Sequence, residues 1–148
     1  ALITGASSGL GGELARQLAE RARALVLVAR RGDRLKALAA ELEQRHPGLV
    51  VSTYAADLSS PVGREQFLTW LAASPLKPNL LVNNAGLGDY GDFGEAEWER
   101  VDALLQLNMV ALTHLTHALL PGLRAAGGAG IINVSSLASL LPIPDFAA

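Results

Sequence analysis

The opening of the chain restricts its fold more than any other stretch. An apolar run, residues 1–3, passes into Thr4 and then into Gly5, Gly9 and Gly11, in the pattern T-G-x-x-x-G-x-G. A phosphate can approach backbone N–H groups only where no Cβ stands in the way, and the helix dipole favours its charge. The stretch therefore predicts a strand, a phosphate-binding turn and a helix. A glycine-rich turn without a ligand is the plainer alternative, because the spacing differs from G-x-G-x-x-G.

Strand patterns and helical patterns then alternate along the whole chain. Short runs rich in Val, Leu and Ile are typical of buried parallel strands, and apolar residues at steps of three and four are typical of helices. The alternation predicts an α/β fold, a doubly wound parallel sheet with helices on both faces, in one domain over residues 1–148. The predicted strands are 1–3, 24–29, 49–54, 79–82 and 130–134, and the predicted helices are 10–22, 34–46, 61–74 and 95–126.

The spacing of apolar residues also predicts which side of each helix packs on the sheet. We expect Asp33 to be the N-cap of the second helix, and Ser60 and Pro61 to begin the third. The long fourth helix carries one polar residue, Asn108, in its apolar stripe. The residues expected to face inward are Leu10, Leu14 and Leu18; Val62, Phe67 and Leu71; and Trp98, Val101, Leu105, Leu112, Leu115 and Leu119.

Polar or glycine residues follow each predicted strand directly. They are Gly5, Arg30, Asp57, Asn83 and Ser136. Because the carboxyl ends of parallel strands meet at one edge of a sheet, and ligands bind at that edge, we expect these residues to share one site.

Composition excludes several classes of function. A net charge of −2 with interspersed acids and arginines provides no basic stripe for nucleic acid and no polybasic patch for a membrane, and we expect no run to approach the length of a membrane span. The chain has no cysteine, which excludes disulfides and thiol catalysis and fits a cytoplasmic location. The three-residue first strand and the apolar end suggest a domain that is incomplete at both ends.

Three motifs in this order resemble the short-chain dehydrogenases/reductases. Residues 4–11, T-G-A-S-S-G-L-G, are similar to the cofactor turn of that family; residues 83–86, N-N-A-G, to its signature after the fourth strand; and residues 133–136, N-V-S-S, to its active-site strand end. The resemblance implies a Rossmann-type fold, here truncated after the fifth strand, and an oxidoreductase that moves hydride between a nicotinamide cofactor and a carbonyl or alcohol.

The resemblance also implies which residues hold the cofactor. Asp57 would bond the adenine amino group and Leu58 would offer a backbone N–H, although Asp57 could instead only cap a turn. Asn83 could instead only tie neighbouring strands together, while Ala85 and Gly86 would leave room for the nicotinamide ribose. The full set is Gly5, Ser7, Ser8, Gly9, Leu10, Gly11, Arg30, Arg31, Asp57, Leu58, Asn83, Ala85 and Gly86.

Arg30 and Arg31 favour one cofactor over the other. They stand about 20 residues past the glycine turn, where a carboxylate would bond the ribose 2′-hydroxyl of NAD and an arginine would accommodate the 2′-phosphate of NADP. No acid ends that strand, so the sequence predicts NADP(H), with Ser8 as a further donor to the phosphate. A solvated cationic loop is the alternative.

Two residues match catalytic positions of the family. Ser136 would hydrogen-bond the substrate oxygen, and its alternative role is a loop serine that turns the chain. Asn108 would lie at a local helix irregularity whose carbonyl holds a water; its alternative is a core asparagine with satisfied bonds. The family's Tyr is expected one residue beyond Ala148 and its Lys four residues later, so this sequence contains neither. We expect no metal at His114 and His117.

The substrate side is predicted from the loops after the fourth and fifth strands. Leu87, Tyr90, Phe93 and Leu137, together with Leu140, Leu141 and Ile143, predict an apolar ketone or alcohol. The resemblance implies a homodimer or homotetramer formed through the long helix. Two other functions stay open: an inactive nucleotide-binding regulatory or scaffold protein of the same fold, and an epimerase or dehydratase, which the glycine spacing disfavours.

Overall fold

The computed structural model describes residues 1–141 and 143–145. Within them, parallel strands alternate with helices as the sequence predicts, and boundaries move by one to three residues. The strands are β1 (Leu2–Thr4), β2 (Ala24–Ala29), β3 (Val50–Ala55), β4 (Leu80–Asn83) and β5 (Gly130–Asn133). The helices are α1 (Gly9–Ala19), α2 (Gly32–Arg45), α3 (Pro61–Ala73), α4 (Trp98–Leu105) and α5 (Leu112–Ala125), with a π-helical segment at Gln106–Ala111 and 3₁₀ turns at Phe93–Glu95 and Leu137–Ser139.

The described strands form one parallel sheet in the order β3-β2-β1-β4-β5. Ile3 of β1 is in register with Leu27 of β2 on one side and with Val82 of β4 on the other. The chain order therefore reverses between β1 and β4, which is the point where ligands bind in sheets of this kind. This topology confirms the predicted doubly wound sheet.

Alternate residues of the central strands pack into two cores on opposite faces. Ile3, Leu27 and Val82 face α1 and α2 in one core, while Leu2 and Leu81 face α3 and the long helical region in the other. All five side chains are fully buried. Both faces of the sheet are therefore covered by helices, which explains why these strands read as continuous apolar runs.

The buried face of α1 differs from the prediction. Gly11, Ala15 and Ala19 are buried, whereas Leu10 is 54% exposed and the predicted partners Leu14 and Leu18 only flank the core. Small residues face the sheet because α1 lies too close to β1 for leucines, so the leucine stripe is rotated away. The helix also ends at Ala19 rather than near Ala22.

One expectation about a helix start fails, one holds, and one inward-facing residue of α3 is wrong. The N-cap of α2 is Arg31, and Asp33 lies inside the first turn, where its charge still favours the helix dipole. In α3, the Ser60 side chain accepts a bond from the backbone N–H of Gly63, as predicted. Val62 is wrong as an inward residue, because it is 63% exposed; Arg64 is buried on that helix instead.

The predicted long helix begins at Trp98 rather than Glu95 and is interrupted by the π-helical segment. Trp98 is 66% exposed and Leu105 is 37% exposed, so the inward stripe does not include them. Val101 and Leu115 are buried as predicted. The stripe fails at its start because Trp98 is the first residue of the helix and packs against neither face of the sheet.

A bidentate ion pair joins α1 to α2 beside the sheet. Arg16 donates from Nε and Nη2 to the two carboxylate oxygens of Glu41, each at 2.9 Å. This hydrogen bond is the main reason that the pKa of Glu41 lies below its ordinary value. Two parallel hydrogen bonds to one carboxylate fix the orientation of the guanidinium, so this pair holds α1 beside α2.

The helical region Trp98–Ala125 is long and apolar enough to cross a membrane, by length and composition only. The expectation that no run approaches the length of a membrane span is therefore wrong on length. One such helix is weak evidence for a membrane segment, because core helices meet the same criteria.

Candidate active site

A cavity of about 270 Å³ opens at the carboxyl edge of the sheet, where the chain order reverses. Of the predicted cofactor residues, it brings together ten, and it adds Leu87 from the predicted substrate set. Gly9, Gly11 and Asn83 do not line it. The lining residues are Gly5, Ser7, Ser8, Leu10, Ala29, Arg30, Arg31, Ala56, Asp57, Leu58, Asn84, Ala85, Gly86, Leu87 and Leu107.

Two glycines are required where the turn meets the loop after β4. Gly5 has φ +69°, and a Cβ there would lie 2.8 Å from Cα of Ala85. A Cβ on Gly11 would lie 2.5 Å from the carbonyl oxygen of Gly5. Gly9 has open space beside it, so a Cβ would meet no atom there, but its φ of +55° is the left-handed conformation that favours glycine.

The side chain of Thr4 fastens the glycine turn to the loop after β4, a role that the sequence reasoning missed. Its Oγ1 accepts from the backbone N–H groups of Asn84 and Ala85, each at 3.0 Å, and donates to the carbonyl of Val82 at 3.3 Å. The Asn84 amide donates to the Thr4 carbonyl at 2.9 Å. The sequence around Thr4 does not indicate these bonds, because Asn84 lies 80 residues further along the chain.

Replacing Thr4 with valine tests the role of these hydrogen bonds. The substitution keeps the shape of the side chain but leaves two partly buried backbone N–H groups without their acceptor, and Thr4 itself is only 2% exposed. We expect the free energy of unfolding to fall by about 2 kcal/mol. Chemical denaturation measures this, with Thr4→Ser, which retains the hydroxyl, as the control. Equal stability of Thr4→Val and Thr4→Ser would contradict the role of the hydroxyl.

Arg31 lies at the cavity wall in contact with the glycine turn. Its Nη2 donates to Ser8 Oγ at 2.6 Å and to Ser7 Oγ at 3.1 Å. Arg30 lines the same wall. The guanidinium and the two hydroxyls thus form a cluster of donors at the end of β2, where a 2′-phosphate is expected.

Asp57 caps a turn in this structure, which was the alternative to its binding role. Its Oδ1 accepts from the backbone N–H of Ser59 at 3.0 Å and from Ser59 Oγ at 2.7 Å. Asp57 and Leu58 nevertheless line the cavity. The cap fixes the carboxylate at the cavity wall, so the two roles are compatible.

Asn83 lies beneath the site rather than in it. It is 4% exposed, and its Nδ2 donates to Thr116 Oγ1 at 3.0 Å and to Asn133 Oδ1 at 2.9 Å. These bonds tie β4 to β5 and to α5, which is the structural alternative considered for this residue.

Asn108 lies in the π-helical segment, so the helix irregularity implied by the resemblance is present. Its amide forms a pair of bonds with the backbone of Leu87: Oδ1 accepts from Leu87 N at 2.9 Å, and Nδ2 donates to Leu87 O at 2.8 Å. Both polar atoms of the Asn108 amide thus have hydrogen-bond partners, as the alternative interpretation of this residue requires. This pairing fixes the loop after β4, at the cavity mouth, to the long helical region.

Ser136 follows β5 and begins the 3₁₀ turn Leu137–Ser139. Its Oγ accepts from the backbone N–H of Ala138 at 3.1 Å, which is the turn-forming role considered as its alternative. A hydroxyl both donates and accepts, so accepting from Ala138 does not by itself exclude donation to a substrate oxygen. Ser136 is not among the described residues that line the cavity.

The predicted substrate residues separate into two groups. Leu87 is half-buried in the cavity wall, with Leu107 beside it. Tyr90 and Phe93 instead line a second recess of about 270 Å³, among five acids and Arg100. Leu137, at 74% exposure, lies in neither cavity. The described chain thus does not bring Tyr90, Phe93 and Leu137 to the cavity that Leu87 lines.

In the described residues, no group of three or more His, Asp or Glu side chains is arranged so that it could hold a metal ion, and the histidines of the long helix belong to no such group. His114 instead faces Glu65, with 3.7 Å between Nε2 and Oε1.

The family model for short chain dehydrogenases matches residues 1–148. The chain belongs to the short-chain dehydrogenase family. Sulfoacetaldehyde reductase 2 of Chromohalobacter salexigens is 36% identical over 148 residues, which cover 97% of this chain and 56% of that protein.

Solved structures of short-chain dehydrogenases have the same fold. L-sorbose reductase from Gluconobacter frateurii, complexed with NADPH and L-sorbose, superposes with a TM-score of 0.91 at 34% identity, over 99% of this chain and 55% of that one. A short-chain dehydrogenase from Sphingobium yanoikuyae in complex with NADPH has a TM-score of 0.89 at 37% identity, over 98% and 56% of the two chains. The chain spans about half the length of these relatives.

Proposed function

We propose that the full-length protein is an NADP(H)-dependent oxidoreductase that interconverts a carbonyl compound and an alcohol. The observation that carries the proposal is the contact of Arg31 with Ser7 and Ser8 at the cavity wall. A carboxylate at this point would favour NAD, whereas a guanidinium flanked by hydroxyls offers a phosphate several donors. The relatives crystallised with NADPH support the same choice.

The residues present fit the cofactor at both ends of the cavity. At one end, Gly5, Ser7 and Ser8 of the glycine turn line the cavity, and the open space beside Gly9, next to them in the turn, leaves room for a pyrophosphate at the start of α1. Leu87 and Leu107 provide an apolar wall at the other end. When bound, NADPH supplies the hydride; the chain's residues orient it and hold the substrate.

Ser136 is the chain's own contribution to the substrate oxygen. In the proposed reaction its hydroxyl donates to the carbonyl oxygen and stabilises the negative charge that develops there. Asn108 holds the Leu87 backbone, which keeps this part of the cavity wall in place. The proton for the alcohol comes from the Tyr that the family resemblance places beyond Ala148.

The proposed substrates are apolar ketones or the corresponding alcohols. Leu87, which lines the cavity, supports this class, as does the apolar character of Leu140, Leu141 and Ile143, which follow β5 in the sequence. The test is turnover of the full-length protein with NADPH and a matched panel of hydrophobic ketones and polyhydroxy ketones. Faster turnover of the hydrophobic set is expected; faster turnover of the sugars would overturn the proposed substrate class.

We also propose a homodimer or homotetramer formed through the long helical region. Apolar side chains lie on its outer surface: Met109 is 62% exposed, Trp98 66% and Val110 41%. Replacing Met109 with lysine is expected to shift the full-length protein towards monomers, because a charge would be buried between subunits. Light scattering after size exclusion measures this change. A monomeric wild type would contradict the proposal.

The structure and the relatives give no support to the inactive alternative. The relatives described above are named as reductases or dehydrogenases. These names favour the oxidoreductase function over the scaffold function.

A further inference from the structure

Arg64 is a buried arginine behind the cavity that the proposed function does not yet use. It lies on α3 and is 3% exposed. Its Nη1 donates to the carbonyls of Leu58 and Ser59 at 2.8 and 2.9 Å. Its Nη2 donates to Oε1 of Gln106 at 3.1 Å. One guanidinium therefore joins the loop after β3 to the π-helical segment.

Packing alone does not explain a charged group at this position. Across residues 1–141 and 143–145, the ion pairs involve other side chains, and Arg64 bonds only to neutral oxygens. Its Nε is buried without a partner in the same part of the chain. An apolar side chain of similar length would avoid this desolvation cost. Burying the guanidinium therefore lowers the free energy of unfolding relative to an apolar side chain. Its contribution is to fix the positions of the three oxygens that accept from it.

The first consequence concerns Asp57. The carbonyl of Leu58 accepts from Arg64, and the N–H of the same peptide, that of Ser59, donates to Asp57 Oδ1. Because the peptide is planar, fixing its carbonyl fixes the direction of its N–H. Arg64 therefore sets the orientation of a carboxylate at the cavity wall without touching the cavity itself.

The second consequence concerns the opposite wall. Gln106 is the first residue of the π-helical segment. The next residue, Leu107, lines the cavity, and Asn108 holds the backbone of Leu87. The bond between Arg64 and Gln106 therefore connects the loop that carries Asp57 to the segment that carries Leu107, while the wall at Leu87 is held independently of Arg64 by the two bonds of Asn108.

We propose that Arg64 is a positioning residue for the adenine half of the nucleotide, acting through Asp57. This inference rests on the proposed function, because it assumes that a dinucleotide occupies the cavity. It goes beyond that function in assigning a role to a residue that lies outside the cavity and contacts no ligand.

The test is a double-mutant cycle on the full-length protein, with adenosine 2′,5′-bisphosphate as the probe of the adenine half. We expect Arg64→Met to weaken its binding about tenfold, by analogy with other hydrogen bonds to charged groups. Arg64→Lys, which keeps the charge and reaches the carbonyls, is expected to recover most of the loss. In the Asp57→Ala background, Arg64→Met is expected to cause no further loss, because its effect passes through Asp57. Titration calorimetry measures all four variants of the cycle.

A second probe and a control separate this role from general destabilisation. Binding of reduced nicotinamide mononucleotide is expected to be unchanged in Arg64→Met, and Arg21→Met, at an exposed arginine of the α1–β2 turn, is expected to alter neither probe. If Arg64→Met does not fold, Arg64→Gln takes its place in the cycle with the same expected coupling.

The outcomes distinguish the inference from the function on which it rests. A wild-type protein that binds neither the bisphosphate nor NADPH would overturn the proposed function itself. Two outcomes would overturn the role of Arg64 alone. In the first, the wild type and Arg64→Met bind the bisphosphate equally well. In the second, Arg64→Met lowers the affinity for the bisphosphate by the same factor with Asp57 and with Ala at position 57.

Discussion

Alanine at position 136 is expected to lower kcat/KM for carbonyl reduction by about 10²–10³ while NADPH affinity stays unchanged. The expected loss is large because a donor aimed at a developing oxyanion acts mainly in the transition state. Steady-state kinetics of the full-length protein, together with a direct NADPH titration, measure the two quantities separately.

Ser136 also accepts a bond from Ala138, so its loss has a structural component that the experiment must separate. Removing a cap of this kind costs about 1 kcal/mol of stability. Ser135→Ala, at the preceding residue, is the matched control and is expected to retain activity. Ser136→Thr, which keeps the hydroxyl, is expected to retain the fold of the turn. Equal activity of wild type and Ser136→Ala would exclude the proposed role of this hydroxyl.

Methionine at position 31 is expected to weaken NADPH binding about 100-fold, since a charged, forked donor to phosphate is lost. NADH has no 2′-phosphate, so its affinity is expected to change by less than about threefold. The guanidinium already lies against Ser7 and Ser8, so little ordering is needed when the phosphate binds. Titrations with both nucleotides measure the change in preference.

Arg34→Met is the matched control for this experiment, because Arg34 lies on α2 close in sequence but outside the cavity. It is expected to bind both nucleotides as the wild type does. Equal losses of NADPH and NADH affinity in Arg31→Met would mean that Arg31 supports the turn rather than the phosphate.

Local patterns were enough to predict the order of the elements and the edge that carries the site. Continuous apolar runs such as Ala24–Ala29 indicate strands buried on both faces, and the structure confirms this. The glycine spacing predicted the turn where Gly5 and Gly11 leave no space for a Cβ. These features depend on the backbone and on neighbours in sequence, which is why the sequence displays them.

Features that depend on distant contacts were not predictable in the same way. The face of α1 is set by how closely it approaches β1, so Ala15 is buried in preference to Leu14. Thr4 and Asn84 find each other across 80 residues. Arg64 looks like a solvated helix residue until the carbonyls of Leu58 and Ser59 are placed beside it.

The most direct test of the central claim is whether the full-length protein consumes NADPH when a hydrophobic ketone is added, with one alcohol formed for each NADPH oxidised. We expect stoichiometric consumption and a higher kcat/KM with NADPH than with NADH. NADPH that binds and is never consumed, whichever carbonyl is added, would contradict the oxidoreductase function, and a preference for NADH would contradict the role of Arg31.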